Sequence, residues 1–365
     1  MKRRVVAFGE IMGRLGPANL KRWAQVLPGT VEFTFGGGEA NVAVSLAILG
    51  MDSAFVTALP KNPMADACVN ALRAVGVDTS MILRTDAGRL GLYFLETGAN
   101  QLPSNVVYDR AGSSISVAPA SAYDWPKVFA QAGWFHTTGI TPAISAATAE
   151  AALDAVKAAK QAGVTVSCDL NFRKKLWGWR QGVKPRELAE TTMRQLLPFI
   201  DLVIANEEDA EQILGIKAAG TDVEAGQLNV AAYEDVARQI VKQFPNVNRV
   251  AITLRESISA SHNNWGGMLY DVAAGKAFLA PLNRDGKYAP YEIRNIVDRV
   301  GGGDSFAGGL IFGLMTDGLS DPATAIRFAV AASCLKHSIP GDFNFVSRKE
   351  VEALMGGSAS GRVNR

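Results

Sequence analysis

Short apolar runs alternate along the chain with longer segments of helical periodicity. Runs bounded by glycine or polar residues predict buried strands, and segments that end at a glycine predict helices. The predicted strands are 5–8, 164–168, 201–205 and 250–253, and the predicted helices are 41–49, 147–161 and 207–214. Because strand and helix alternate in this order, we predict an α/β fold whose mostly parallel central sheet is covered by helices on both faces.

Two regions, 11–35 and 88–117, interrupt this alternation with β-branched, aromatic, glycine and proline residues. They predict short strands of a separate small sheet, a lid that would exclude water from a reactive group; the alternative is that they extend the main sheet. Loop-like insertions near 178–185, 218–230 and 257–290, a flexible tail at 356–365 and one domain over 1–355 complete the predicted organisation. The sequence assigns no role to the insertions 218–230 and 257–290.

Polar side chains follow three of the predicted strands. They are Asp169, Asn171 and Arg173 after the first, Asn206 and Glu207 after the second, and Arg255 and Glu256 after the third. In a parallel sheet the carboxyl ends of the strands share one edge, where ligands bind. We therefore expect a binding site at this edge.

A run of three glycines, Gly301, Gly302 and Gly303, leads into Asp304 and an apolar helical segment. Glycines at a helix N-terminus let backbone N–H groups converge on an anion such as a phosphate. A carboxylate there would repel a phosphate, unless it serves as a general base that takes a proton from a hydroxyl. The alternative is that Asp304 only caps the helix.

Composition limits the function classes. The chain has 365 residues, 48% of them hydrophobic and 20% charged, which is typical of a globular protein. A net charge of +2 gives no indication of nucleic-acid binding, and no segment has the length of a membrane span. Three widely spaced cysteines argue against a disulfide framework, and three histidines without paired spacing argue against a structural zinc site. We expect a cytoplasmic location, since the first apolar run is too short for a signal peptide.

Four motifs in one order carry a family resemblance. They are FGGGEANVA at 35–43, DLNFR at 169–173, NEED at 206–209 and DRVGGGDSFAGG at 298–309. The chain resembles the ribokinase (PfkB) family of carbohydrate kinases, and YDRAGSS at 108–114 resembles the 2-keto-3-deoxygluconate kinases within it. It departs from the family pattern at Arg299 (usually Thr), Gly302 (usually Ala) and Asp209 (usually Glu).

The resemblance implies a three-layer ribokinase-like fold with a β lid, use of ATP and Mg2+, and a homo-oligomer joined through the lid. It implies that Asp304 is the base and that Gly301, Gly302 and Gly303 stabilise the transferring phosphoryl group. The residues implied on the nucleotide side are Asn171, Arg173, Asn206, Thr253, Arg255, Ser257, Gly301 and Gly303. No direct metal ligand is expected, and Asn206 and Asp209 would reach magnesium through water. The alternative for Asn206 is a helix N-cap, which is compatible with that role.

The predicted substrate is a sugar acid, 2-keto-3-deoxygluconate, phosphorylated at its terminal hydroxyl. Arg110 and Arg173 would bind the carboxylate, since guanidinium groups offer bidentate donors. The remaining predicted substrate residues are Gly37, Asn41, Tyr93, Tyr108, Asp342 and the base Asp304. The alternatives are arginines in solvated pairs with Asp109 or Asp169 and tyrosines that are ordinary strand residues.

Two other functions stay open from the sequence. One is a neutral-sugar kinase of the fructokinase or ribokinase type, and the other is a non-catalytic sugar-binding regulator. The intact glycine run and Asp304 argue against the regulator. The sequence does not separate the gluconate-derived from the galactonate-derived epimer, because a single hydroxyl contact decides that preference.

Overall fold

The structure is a computed structural model that describes residues 4–206, 208–217 and 230–357. The strands are β1 (Arg4–Phe8), β2 (Met12–Gly16), β3 (Glu32–Gly36), β4 (Ser53–Val56), β5 (Ala58–Pro60), β6 (Leu83–Thr85), β7 (Gly91–Glu96), β8 (Asn105–Asp109), β9 (Ala132–Thr138), β10 (Thr165–Asp169), β11 (Leu202–Ala205), β12 (Arg249–Ser259), β13 (His262–Asp271), β14 (Lys276–Ala280) and β15 (Tyr291–Ile293).

The helices are α1 (Trp23–Val26), α2 (Gly38–Ile48), α3 (Pro63–Ala74), α4 (Ser114–Val117), α5 (Trp125–Phe129), α6 (Ile140–Ile144), α7 (Ala146–Gln161), α8 (Pro185–Leu196), α9 (Asp209–Leu214), α10 (Val230–Gln243), α11 (Gly302–Met315), α12 (Pro322–Lys336) and α13 (Arg348–Met355). Short 3-10 turns occupy Ala120–Ala122 and Leu197–Phe199. Among the described residues, no helix combines the length and the apolar character that crossing a bilayer requires.

The main sheet has nine strands within the described residues, in the order β14-β13-β12-β11-β10-β9-β1-β4, with β15 paired to β13. Six neighbouring strands run parallel, namely β4, β1, β9, β10, β11 and β12. At the β12 side, β13, β14 and β15 add antiparallel pairs. A mostly parallel sheet with helices on both faces confirms the predicted fold class.

Side-chain alternation along the strands separates two apolar layers. Val5 packs with α2, α11 and α12, whereas Val6 packs with α5, α7 and α8 on the opposite face. Local signals set the helix ends: Ser145 caps α7 by accepting a hydrogen bond from the Thr148 N–H, and Gly163, with φ 72°, follows the helix C-cap. The result is a three-layer arrangement around one sheet.

A second sheet of four strands, in the order β3-β2-β7-β8, stands apart from the main sheet. Its strands come from the two regions that interrupted the helical alternation, so these strands do not extend the main sheet. Both regions also contain a short helix, α1 and α4, where the sequence predicted strands alone. We call this four-stranded sheet the lid sheet.

The predicted loop at 257–290 is wrong. Residues 249–271 form a long β12–β13 hairpin, and β14 extends the same sheet. Asparagine and glycine are uncommon in strands, and 263–267 contains two of each, although most of β13 is buried. The loop near 178–185 lies ahead of α8, as predicted. Glu207, residues 218–229 of the predicted insertion at 218–230 and residues 358–365 of the predicted tail at 356–365 lie outside the described residues.

Candidate active site

A cleft of about 400 Å³ lies between the carboxyl ends of the parallel strands and the lid sheet. It collects most of the residues that the sequence predicted for a site. The predicted residues that line it are Gly37, Asn41, Tyr93, Tyr108, Arg110, Asn171, Arg173, Asn206, Asp209, Thr253, Arg255, Gly301, Gly302, Gly303, Asp304 and Asp342. Residues from eight separate stretches of chain therefore meet only in the folded molecule.

The glycine run forms the start of α11. Gly301 has φ 81°, a left-handed conformation, and a Cβ there would lie 2.3 Å from the Asp342 carbonyl oxygen. The helix begins at Gly302, so the first-turn N–H groups that lack a partner within the helix belong to the glycine run and to Asp304; that of Gly302 donates to the Arg299 carbonyl oxygen at 3.4 Å. Only glycine satisfies both the dihedral angle and the close approach at position 301.

Asp304 is not the cap of this helix, because Gly301 occupies the N-cap position and Asp304 lies in the first turn. The capping alternative is therefore wrong. The Asp304 carboxylate accepts a hydrogen bond of 2.7 Å from the Asn41 amide, and the Asn41 side-chain oxygen accepts one from the Gly37 N–H. The start of α2 thus fixes Asp304 on the floor of the cleft.

Burial raises the pKa of Asp304 from its ordinary 3.8 to about 6. The Asn41 hydrogen bond opposes the rise in pKa, the Asp342 carboxylate adds to it, and the charges of Arg173 and Lys336 oppose it. A carboxyl with a pKa of about 6 is mostly ionised at neutral pH and still binds a proton well. These are the properties of a general base.

Two further carboxylates are buried at the same strand edge. Burial, with the charges of Asp209 and Asp304, raises the pKa of Asp169 well above its usual range. Burial also raises the pKa of Asp209, against hydrogen bonds from backbone N–H groups. Three acidic groups of one site thus share a low-dielectric region, which favours cationic groups or protons nearby.

Asp209 and Asn206 hold the loop after β11. The two Asp209 oxygens accept the N–H groups of Phe172 and Asn206 at 2.9 and 3.0 Å. The Asn206 side chain accepts the N–H groups of Glu208 and Asp209, but the N-cap position of α9 is Glu208, so the predicted N-cap alternative for Asn206 is wrong. Among the described residues, no group of three or more His, Cys, Asp or Glu side chains is arranged to hold a metal ion.

Arg14, on strand β2 of the lid sheet, bridges two core carboxylates. Its guanidinium donates to Asp298 at 2.6 Å and to Asp342 at 2.9 Å, and the Tyr93 hydroxyl donates to Asp342 at 2.5 Å. Asp298 in turn accepts the Val300 N–H, next to the glycine run. Sequence reasoning missed Arg14 and Asp298, because a single arginine in a short strand carries no signal of its distant partners.

The predicted substrate residues Tyr93 and Asp342 therefore contact each other in this structure. Burial raises the pKa of Asp342, although the Arg14 charge and the Tyr93 hydrogen bond oppose that rise. The Tyr93 and Tyr108 rings lie 6.2 Å apart between their centroids and line the lid side of the cleft. Neither tyrosine is an ordinary solvent-facing strand residue.

Arg110 is buried and forms an ion pair with Glu10, which the sequence did not single out. The alternative that Arg110 pairs with Asp109 is wrong, since Asp109 pairs with Arg89. Arg173 is exposed at the cleft, and one of its Nη atoms donates to the Phe172 carbonyl oxygen. The cleft therefore contains two kinds of cation: Arg173, which is exposed, and Arg110, which is buried and paired with Glu10.

The other end of the cleft is formed by β12 and by Arg299. Thr253 and Arg255 line it within β12, so they lie inside a strand that is longer than predicted. Ser257 lies further along the hairpin, paired with Asn263, and does not line the cleft; its predicted nucleotide contact is not supported. Arg299 donates to the carbonyl oxygens of Ser259 and Ala260 at the hairpin tip.

Comparison with known proteins decides the family. The model described as pfkB family carbohydrate kinase matches residues 2–257. The chain belongs to the pfkB family. The resemblance inferred from the four motifs is thereby confirmed, and with it the assignment as a carbohydrate kinase, a phosphotransferase with an alcohol acceptor.

Three similar proteins carry the names of sugar-acid kinases. The crystal structure of 2-dehydro-3-deoxygluconokinase from Thermotoga maritima is 46% identical, with a TM-score of 0.87, over 97% of this chain and 100% of that one. The 2-dehydro-3-deoxygalactonokinase of Haloferax volcanii is 30% identical over 99% of both chains. The 2-dehydro-3-deoxygluconokinase of Bacillus subtilis is 27% identical over 96% of this chain and 94% of its own.

Proposed function

We propose that this pfkB kinase transfers a phosphoryl group from ATP to the terminal hydroxyl of 2-keto-3-deoxygluconate, giving 2-keto-3-deoxy-6-phosphogluconate. The observation that carries the proposal is one cleft that contains a base with a raised pKa beside a glycine-rich helix start, with four arginines among its lining. The names of the relatives at 46% and 30% identity support the same substrate class.

At the reacting end, Asp304 takes the proton of the substrate hydroxyl. Its partner Asn41 donates to one carboxylate oxygen, which leaves the other free to accept that proton. The N–H groups of Gly301 to Gly303 face charge that builds up as the phosphoryl group moves. The positive end of the α11 dipole favours the same charge.

At the other end, Arg173 and Arg110 bind the carboxylate of the sugar acid. Arg173 is exposed to the cleft and forms no ion pair with a carboxylate among the described residues, whereas Arg110 lies beneath the lid sheet beside Tyr108. Tyr108 and Tyr93 cover the carbon chain, and Gly37 lies where a Cβ would meet the Glu10 carbonyl oxygen at 2.0 Å. That close approach of the Glu10 backbone allows only glycine at position 37.

The cleft also fits a nucleotide. Arg255 and Arg299 line one end of it. The pKa of Arg299 is lowered mainly by burial and also by the charge of Arg255. An anion bound between the two arginines would reduce their repulsion. Thr253, Asn171 and Asn206 offer further polar atoms there. ATP, when bound, supplies the phosphoryl group. Because no carboxylate cluster suits a metal among the described residues, Mg2+ would be held by phosphate oxygens and by water near Asn206 and Asp209.

The experiment is a coupled ADP-release assay with Mg-ATP. It compares 2-keto-3-deoxygluconate, its galactonate epimer, fructose and ribose, with Asp304→Asn in parallel. Turnover on a keto acid that collapses in the variant supports the proposal. Preferred turnover on fructose or ribose would instead make the protein a neutral-sugar kinase, and binding without turnover would make it a regulator.

We further propose that two copies associate through the lid sheet. Large apolar side chains are exposed on it and on its connections, namely Leu20, Leu27, Phe33, Leu102 and Val107. We expect an assembly to cover these side chains, because large exposed apolar surfaces often mark interfaces. Light scattering after gel filtration should give a dimer or larger assembly, and Val107→Glu should shift it toward the monomer. Free thiols at all three cysteines suit a reducing cytoplasm, where ATP is supplied.

A further inference from the structure

A buried ion pair closes the cleft at the junction of the lid sheet and the core. Glu10 follows β1, the second strand from one end of the main sheet, and Arg110 follows the lid strand β8. A Glu10 oxygen contacts an Arg110 Nη atom, and the two side chains are 3% and 9% exposed. Both residues line the cleft.

Apart from their contact with each other, the charged groups of Glu10 and Arg110 have few polar neighbours. Both Glu10 carboxylate oxygens and the Arg110 Nε atom are buried, and none of the three has a hydrogen-bond partner that meets normal geometry among the described residues. A Cβ on Gly91 would lie 2.7 Å from one Glu10 oxygen, so the glycine leaves room for the carboxylate under β7. The Glu10 charge is thus balanced by Arg110 and by little else.

A buried guanidinium needs an anionic partner, and a buried carboxylate needs a cationic one. In the proposed reaction, the anion meant for Arg110 is the carboxylate of the sugar acid. Here Glu10 already supplies a carboxylate to the same guanidinium. Two carboxylates at one cation repel each other, so each weakens the binding of the other.

We propose that Glu10 is a specificity-determining residue, an internal counter-ion that competes with the carboxylate of an acidic sugar for Arg110. This inference rests on the proposed function. In the empty enzyme Glu10 keeps Arg110 paired and keeps β8 against the core. When the substrate binds, its carboxylate must share Arg110 with Glu10 or displace Glu10 from it. Breaking or weakening the Glu10–Arg110 pair reduces the net binding free energy of the acid.

The competition predicts a result opposite to that of a simple binding residue. Glu10→Gln keeps the size of the side chain but removes its charge, so Arg110 becomes fully available to the substrate. The dissociation constant for 2-keto-3-deoxygluconate should fall by about tenfold, within the usual range for coupled sites. The ligand-free variant should unfold at a temperature lower by about 2–5 °C, because Arg110 then lacks its anion.

The test is isothermal titration calorimetry of the whole enzyme with two ligands. One is 2-keto-3-deoxygluconate, and the other is its neutral counterpart in which the carboxylate is reduced to a hydroxymethyl group. For Glu10→Gln we expect tighter binding of the acid and unchanged binding of the neutral ligand. Thermal unfolding should show a larger ligand-induced stabilisation by the acid in the variant than in the wild type.

A double variant separates competition from structural support. Arg110→Gln alone strands the Glu10 charge and should lower stability, whereas Glu10→Gln with Arg110→Gln should regain stability without tight binding of the acid. Weaker or equal binding of the acid by Glu10→Gln would overturn the inference, because Glu10 would then orient Arg110 or do nothing. If the wild type itself does not bind the keto acid, the proposed function fails, and that failure is seen before any variant is measured.

Discussion

Asp304→Asn should make the protein more stable and almost inactive at the same time. The pKa of Asp304 rises from 3.8 to about 6 because the folded protein takes its carboxylate out of water. Above pH 6 the folded state therefore holds an ionised group that the unfolded state accommodates more easily. Asparagine has a similar shape and no charge, so it removes this cost.

The magnitude follows from the pKa change. Each pKa unit corresponds to about 1.4 kcal/mol, which gives about 3 kcal/mol as an upper value at pH 8. The side chain is partly open to the cleft, so about 1–3 kcal/mol is expected after allowing for solvent screening. Between pH 3.8 and 6 the folded state binds more protons than the unfolded state, and wild-type stability falls as the pH rises. The advantage of Asp304→Asn should thus be about half as large at pH 5 as at pH 8.

Urea unfolding of both proteins at pH 5 and pH 8 measures this difference. In kinetics, wild-type kcat/KM should fall as the pH drops through about 6, because only the ionised base accepts a proton, and Asp304→Asn should lose about 10²–10⁴ in kcat. Asp342→Asn is the matched control, since removing the Asp342 charge should lower the pKa of Asp304 and move the acid limb to lower pH. An acid limb near pH 4, or a variant less stable than the wild type at pH 8, would refute the reasoning.

Three further outcomes are expected. Arg14→Met should destabilise the protein by about 3–5 kcal/mol in urea unfolding and lower kcat, because two buried carboxylates lose their shared cation, and Arg14→Lys should recover part of both losses. Gly301→Ala should cost about 1–3 kcal/mol of stability and most of the activity, whereas Gly303→Ala, where a Cβ meets nothing within 4 Å, should unfold like the wild type. Asp209→Asn should lower stability by about 1–3 kcal/mol, because an amide nitrogen would face a backbone N–H. In the same variant, the Mg2+ concentration that gives half-maximal rate should change if Asp209 acts on the metal. It should stay constant if Asp209 only holds the loop.

The sequence by itself determined the local features of this protein. Apolar periodicity and glycine stops specify strands and helices within a few neighbouring residues, so the parallel sheet was predictable. The glycine run could be predicted as a helix start, because a left-handed residue without a Cβ and a following apolar helix are both local properties. The polar residues after β10 and β11 were placed at one edge by the same reasoning, since parallel strands end together.

Only the tertiary structure decided which distant charges meet. Arg14 and Asp342 are 328 positions apart, and Glu10 and Arg110 follow strands of different sheets, so no periodicity relates them. The pKa of Asp304 likewise depends on burial, which is a property of the packed molecule. The predicted loop at 257–290 was wrong because the asparagines and glycines of 263–267 resemble a loop until a neighbouring strand provides the hydrogen bonds. Neighbouring residues determine local secondary structure, whereas charge pairing and desolvation arise only when the chain has folded.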